Sequence, residues 1–282
     1  MRPISDGDGV LRVMTLNIWA RKGSWRDRRN VLINGLEALR PDVIAFQEVI
    51  RADRYDQVHD LVGSRYHIVH HSSRGDDGAG ISTATRWQPT ASHELGLDNS
   101  SQSGPSSVAL VVELAPPGLG GKVLVVNHKP VSEWHAEARR EQQAVLAARA
   151  VEQLSTASGA QVIVAGDFDA SPDSASVRFW TGRQSLEGTS VCYRDAWYSR
   201  HGDRPGHTFS PTNPLVYVDE PTLDRGRRTD YLMVRCDDRG PSLLIHRCDL
   251  AFDQADNGTW ASDHFGVVAD LGRPVTHPQS NT

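Results

Sequence analysis

The strongest constraint on this chain is a series of short, nearly unbroken apolar runs. LRVMTLN (11–17), DVIAFQE (42–48), VALVVEL (108–114), KVLVVNH (122–128), QVIVAGD (161–167), DYLMVR (230–235) and FGVVADL (265–271) all read as strands. Several lack the apolar/polar alternation of a half-exposed strand, so both of their faces are expected to be covered. Two helical patterns supply the cover. Residues 25–39 carry apolar positions at Val31, Leu32, Leu36 and Leu39 and stop at Pro41. Residues 133–154 are Ala-rich and strongly helix-forming, with Ser132 as the N-cap. Buried strands plus two well-separated amphipathic helices predict an α/β fold, a stack of two sheets covered by helices.

At 282 residues the chain has the length of one large domain or two small ones. No Gly/Ser-rich linker and no repeat divides it, so we expect a single catalytic domain over 10–272 with flexible ends at 1–9 and 273–282. The structure-poor stretches are 98–107, 115–121 and 211–228. The second reads as a turn between strands, and the third is long enough to suggest a functional loop. No apolar run approaches the roughly 20 residues of a membrane span. The N-terminal MRPISDGDG lacks a signal-peptide pattern, so a cytoplasmic location is expected. Cys192, Cys236 and Cys248 have no paired spacing and read as buried, reduced thiols. A net charge of −5 weighs against gripping long nucleic acid electrostatically and leaves room for a local basic groove.

Four of the apolar runs end on groups able to bind a metal or a phosphate: Asn17, Glu48, His128 and Asp167. One such residue reads as a solvated loop position. Four in one chain point to a shared rim of the sheets and thus to a site. Asp230 opens a further run, and Asp263-His264 immediately precede the last one. If Glu48, Asp167, Asp169, Asp230 and Asp263 converge, five carboxylates share one pocket, and a cation is needed to neutralise them. With Asn17 the donors are oxygen, which favours Mg²⁺ or Mn²⁺ over zinc.

In order, TLN (15–17), QE (47–48), NH (127–128) followed by a helix with R-x-x-Q, GDFD (166–169), RDAW (194–197), GHTF (206–209), RTDY (228–231) and SDH (262–264) resemble the endonuclease/exonuclease/phosphatase superfamily. The resemblance covers roughly residues 10–271 and implies a four-layer α/β/β/α sandwich, two packed mixed sheets flanked by helices. It also implies Mg²⁺- or Mn²⁺-dependent hydrolysis of a phosphoester by water. Carried over residue by residue, Glu48 is similar to the principal metal ligand, with Asn17 beside it and Asp263 in support. His264 looks like the histidine facing the phosphate, and Asp230 like the carboxylate that orients it. Asp167 would position or deprotonate the water, and His128 would donate to phosphoryl oxygens. We favour Asp167 over His264 as the base, because an imidazolium at 264 serves better as an electrostatic clamp.

One departure stands out. Most of the family has Asp-x-Asn where this chain has Asp167-Phe168-Asp169. An ionised carboxylate only accepts hydrogen bonds, so Asp169 must bind metal, be protonated or face away, and we read it as an added metal ligand. Lys129 and Arg228 are the substrate-binding candidates, with Arg225 and Arg227 nearby. Arg26, Arg28 and Arg29 read as a solvated face, although Arg28 or Arg29 could instead anchor the helix. The helical R-x-x-Q has two registers, Arg139/Gln142 and Arg140/Gln143, and a structural role. Trp19, Trp87 and Trp134 read as partly buried, and His70-His71 as an exposed strand end. The loops are Ser-, Pro- and Asp-bearing rather than basic, which favours a small-molecule or lipid-headgroup phosphodiester or monoester. An endo- or exonuclease on DNA or RNA is the alternative, and a catalytically inactive ligand-binding module is the reading from another class. Nothing in the sequence indicates the oligomeric state.

Overall fold

The structure is a computed structural model that describes residues 9–98 and 107–273. Its strands are β1 (Val10–Asn17), β2 (Val43–Ala52), β3 (Tyr55–Asp56), β4 (His67–His70), β5 (Ala79–Thr85), β6 (Ala91–Gly96), β7 (Val108–Leu114), β8 (Val123–Lys129), β9 (Gln161–Asp167), β10 (Tyr193–Asp195), β11 (Asp230–Asp237), β12 (Gly240–Pro241), β13 (Leu244–Ala251) and β14 (Gly266–Gly272). Helices are α1 (Trp25–Leu39), α2 (Gln57–Val62), α3 (Glu137–Ser158), α4 (Ala175–Trp180), α5 (Ala196–His201) and α6 (Val216–Asp219). One sheet runs β13-β14-β1-β2-β5-β4 with β3 on β2, and the other runs β10-β11-β9-β8-β7-β6 with β12 on β11. Each is mixed, with one parallel pair near its middle: β1·β2 in the first and β8·β9 in the second. A parallel pair needs a crossover, and α1 and α3 lie in the two crossovers.

Both faces of the central strands are buried, as the unbroken apolar runs require. Between the sheets pack Val13, Val43, Leu110, Val125, Ile163 and Val267. On the outside of the first sheet, Leu32 and Leu36 of α1 and Val58 of α2 cover Met14, Ile44 and Phe46. On the outside of the second, Val145 and Val151 of α3 and Phe179 of α4 cover Val111, Val126 and Val164. The result is the expected α/β/β/α sandwich of four layers. Among the described residues no helix is long and apolar enough to cross a membrane.

Helix α1 has the predicted bounds, and Arg40 ends it in the left-handed region, just before Pro41. Helix α3 begins four residues later than predicted. Ser132 is not its cap, because Arg140 donates to the carbonyls of Val131, Glu133 and Trp134 and holds that stretch as a loop. This fixes the R-x-x-Q register as Arg140/Gln143, and Gln143 accepts from the Val131 N–H at 2.9 Å. Arg28 is not solvated: it is 1% exposed and donates to the Ile18 carbonyl, anchoring the loop after β1. The expected turn at 115–121 does join β7 to β8. The flexible ends at 1–8 and 274–282, and the stretch 99–106, lie outside the described residues.

Candidate active site

The two parallel pairs bring their carboxyl ends to one edge of the sandwich, where an open α/β sheet places ligands. In register, Asn17 lies beside Gln47 and His128 beside Gly166. Asp230, first residue of β11, lies opposite Asp167, last residue of β9. Four strands that share no sequence neighbourhood thus deliver their terminal polar groups together. Glu48 reaches the rim by a different device. The register of β2 against β5 slips between Phe46 and Val49, and Glu48 adopts φ 54. A bulge of this kind re-aims a side chain. It leaves Gln47 pointing inward, where its amide donates to the Asn127 Oδ1 at 2.8 Å. Asn127 in turn donates to the carbonyls of Phe46 and Ser82, so one buried amide pair clamps the two sheets just beneath the site. Ser262 donates to the Asn17 carbonyl at 2.8 Å, which brings Asp263 and His264 to the same edge.

At the centre, His264 Nδ1 and Asp230 Oδ2 are 2.9 Å apart and both groups are buried. Burial opposes a charged imidazole, yet the carboxylates of Asp230 and Asp167 raise its pKa well above the ordinary value. Burial raises Asp230 itself, with Asp167 adding to the rise against the pull of His264. Asp167 is driven the other way: burial is outweighed by Lys129 and His264, and its carboxyl is held low. Its Oδ2 accepts from Lys129 Nζ at 2.6 Å and from Asn17 Nδ2 at 3.0 Å. Burial pushes Asp263 up to about 6, with Glu48 adding repulsion and His264 opposing it. These are the marks of more buried carboxylate than the side-chain cations neutralise. Asp167, Asp230 and His264 each offer a ligand atom, all within 4.8 Å of one another.

The site opens into a cavity of about 510 Å³ lined by Glu48, Asp169, Asp263 and His264 within and by Trp134 and Arg227 farther out. Ten of the expected residues were named from sequence, and the structure distributes them unevenly. Glu48, Asp169, Asp263 and His264 face the cavity, and Asp167, Asp230, Asn17 and Lys129 hydrogen-bond within the same cluster. Asn17 presents its amide nitrogen to Glu48 at 2.9 Å and to Asp167, while its oxygen accepts the Trp19 N–H. As placed it is a brace between two carboxylates rather than an oxygen ligand. Asp169 meets a partner that sequence reasoning did not consider, the ammonium of Lys129 at 2.6 Å.

His128 is 1% exposed, edge-on to Phe168 and Trp180, and does not line the cavity. Burial lowers its pKa to about 3, so the ring is neutral. Arg228 turns away as well. It pairs with Asp195 at 2.7 Å, packs over Tyr231 and lines a separate cleft, while its neighbour Arg227 lines the site cavity. Adjacent residues on an extended segment point to opposite sides, so of this pair only Arg227 reaches the site cavity. Trp134 is 67% exposed rather than partly buried, with the Arg227 guanidinium 4.0 Å from its ring centroid. His70 and His71 are also not an exposed end: His70 bonds Asp56 at 2.9 Å and His71 is buried. Cys192 is exposed, whereas Cys248 is buried.

The family model described as "Endonuclease/Exonuclease/phosphatase family" matches residues 14–264. Several solved structures share the fold. A truncated TDP2 from Caenorhabditis elegans is 18% identical with a TM-score of 0.73, covering 95% of this chain and 100% of that one. An endonuclease/exonuclease/phosphatase from Bacteroides vulgatus is 19% identical, TM-score 0.70, covering 94% and 99%. The human nocturnin catalytic domain, solved with a bound sulfate anion, is 17% identical, TM-score 0.70, covering 96% and 97%. No curated protein matches the sequence significantly.

Proposed function

Because this chain belongs to the endonuclease/exonuclease/phosphatase family of phosphoester hydrolases, we propose that it uses Mg²⁺ or Mn²⁺ to hydrolyse a small-molecule or lipid-headgroup phosphodiester or monoester. The observation that carries this reading is the convergence of Glu48, Asp167, Asp230, Asp263 and His264 at one sheet edge, with His264 held on Asp230. The residues fit a hard divalent ion. Asp263 has its pKa raised by burial and by Glu48, Asp230 Oδ1 is buried without a partner, and the donors are oxygens. Asp167 is already tied to Lys129, and His264 Nδ1 to Asp230. Glu48 and Asp263 are therefore the residues that would hold the ion. Bound there, it would supply positive charge to the phosphoryl and leaving oxygens.

The chain's own groups do the rest. The His264 imidazolium, oriented by Asp230 through Nδ1, leaves Nε2 to donate to a phosphoryl oxygen as negative charge builds. Asp167, held by Lys129 and Asn17 on Oδ2, orients the attacking water and accepts its hydrogen bond. Its lowered pKa makes it a firmer orienting group than a base. His128, neutral and behind Phe168, supports the floor of the site instead of donating to the phosphate.

Six acidic side chains against three Lys or Arg line the cavity, which disfavours a groove that tracks a polyanionic backbone. A second reading, hydrolysis at the end of a nucleic acid strand, is favoured by one feature, the exposed Trp134 stacked on Arg227 at the cavity mouth. A zebrafish (D. rerio) TDP2 of the same fold has been solved with a single-strand DNA product, at 18% identity and TM-score 0.72, covering 94% of this chain and 99% of that one. The free cysteines suit a cytoplasmic setting. Purified chain with Mg²⁺ or Mn²⁺ and a chromogenic phosphoester tests the first reading against plasmid and single-stranded oligonucleotide. We expect turnover of the chromogenic ester, abolished by EDTA, with plasmid left intact. Nicked or degraded DNA without ester turnover moves the assignment to the nuclease. Inactivity on every substrate leaves a binding module.

A further inference from the structure

Lys129 Nζ lies 2.6 Å from Asp167 Oδ2, 2.6 Å from Asp169 Oδ2 and 3.8 Å from Glu48 Oε1. Three carboxylates, two from the end of β9 and one from the bulge of β2, therefore surround one cation, and that cation is covalently part of the chain. The arrangement is built and not incidental. The Lys129 side chain is 16% exposed, and Asp167 is fully buried. Asp169 sits at φ 49, a left-handed conformation, with its N–H on Asp167 Oδ1 at 3.2 Å, which fixes its carboxylate beside its neighbour's. Without the ammonium, the buried carboxylate of Asp167 and the half-buried one of Asp169 would face each other uncompensated.

We propose that the Lys129 ammonium permanently fills one of two cation positions in this carboxylate cluster, so that the chain takes a single divalent ion, at the Glu48–Asp263 end. The inference rests on the metal-dependent reading above and adds the number of ions and the residue that sets it. It also gives Asp169 a role. Its carboxylate anchors the internal cation, a task for which an amide is poorly suited, because an amide carries no charge. Asp169 is then a positioning residue for Lys129, not an added metal ligand.

The test counts ions directly. Mn²⁺ is titrated into the purified full chain and free Mn²⁺ is followed by electron paramagnetic resonance, for wild type, Lys129→Arg and Lys129→Met. The expected result is one ion per chain for wild type and Lys129→Arg, which keeps a cation in the seat, and two for Lys129→Met. Two ions on wild type, or one on Lys129→Met, overturns the inference and leaves the hydrolase reading standing. No Mn²⁺ bound to wild type overturns both. If Lys129→Met does not stay folded in metal-free buffer, its melting temperature is followed against Mn²⁺. A rise larger than the one Mn²⁺ gives wild type supports the inference, since a second ion then fills the vacated seat, and a rise no larger than that of wild type overturns it.

Discussion

Asp230→Asn probes the centre of the proposed machinery with the smallest change in volume. The carboxylate is 1% exposed, its Oδ2 lies 2.9 Å from His264 Nδ1, and the Thr208 hydroxyl accepts the Asp230 N–H, so the asparagine can occupy the same place. What disappears is the charge that keeps His264 cationic. Losing one preorganised charge-stabilising interaction from a transition state costs about 2.7–4 kcal/mol. Here the lower end applies, because Asp230 is itself held up by burial and by repulsion from Asp167, and the variant relieves that repulsion. At about 1.4 kcal/mol per decade, 3 kcal/mol corresponds to a roughly 100-fold loss in kcat/KM. The loss should depend on pH. In wild type the raised His264 pKa keeps the imidazolium through neutral pH. In the variant the alkaline fall in activity moves to lower pH, and the gap narrows below about pH 6.5, where even an ordinary histidine is charged. The assay is kcat/KM on a chromogenic phosphoester across pH 5–9 in Mn²⁺, with circular dichroism to confirm folding. A loss that is equal at every pH would show that His264 is not the cationic clamp; a loss under about threefold would show that the dyad is dispensable.

Three further outcomes follow from the same geometry. Asp263 has a pKa of about 6 in the fold against 3.8 ordinarily, so between those values the folded chain binds more protons than the unfolded one and stability falls as pH rises from about 4 through 6. Asp263→Asn should therefore raise metal-free stability at pH 7, by up to about 3 kcal/mol, and abolish the rise in melting temperature that Mn²⁺ gives wild type; calorimetry in EDTA and in Mn²⁺ reads both. At Gly166 any Cβ would collide with the backbone carbonyl of His128 on the paired strand, so Gly166→Ala should cost about 3 kcal/mol or more in a urea titration. Arg28→Ala removes the buried guanidinium that holds the Ile18 carbonyl, and the loop carrying Trp19 should loosen. We expect about 2–3 kcal/mol lost in the same titration and faster amide exchange at Trp19 and Ala20.

The layering of this fold was legible because it is written in short-range chemistry. Runs such as VALVVEL and QVIVAGD have no polar face to offer to solvent, and the chain order of strands and helices then permits few arrangements. Strands that were missed lack a run of large apolar residues: β5 (AGISTAT) is largely buried but built from small and hydroxyl side chains, and others are polar. Strand β6 (ASHELG) is a sheet edge with an exposed outer face, and β13 (LIHRCDLA) is half exposed. Neither carries the burial signal on which the reading relied. The start of α3 was misplaced for a tertiary reason: local propensity favours helix from Glu133, but Arg140 captures three carbonyls of that stretch first.

The candidate site was legible for a related reason and illegible for another. Asn17, Glu48 and Asp167 end apolar runs, and the end of a buried strand must lie at a sheet rim, so position along the chain implied position in space. Direction at the rim did not follow from that. A one-residue choice decided between Arg227 and Arg228, and the bulge that turns Glu48 outward while sending Gln47 inward depends on how β2 meets β5, which no local pattern records. Partners across the cluster were equally hidden. Asp169 was treated as a surplus negative charge in want of an external ion, whereas Lys129, forty residues earlier, reaches it from β8. Asp169 is a carboxylate where the family resemblance leads one to expect an amide, and its partner is the ammonium of Lys129, last residue of β8. Asp169 alone would face Asp167 uncompensated, and Lys129 supplies the counter-charge to both. A charge that looks misplaced in a sequence motif therefore calls first for a search of the opposing strand ends for its counter-charge, and only then for a ligand from solution.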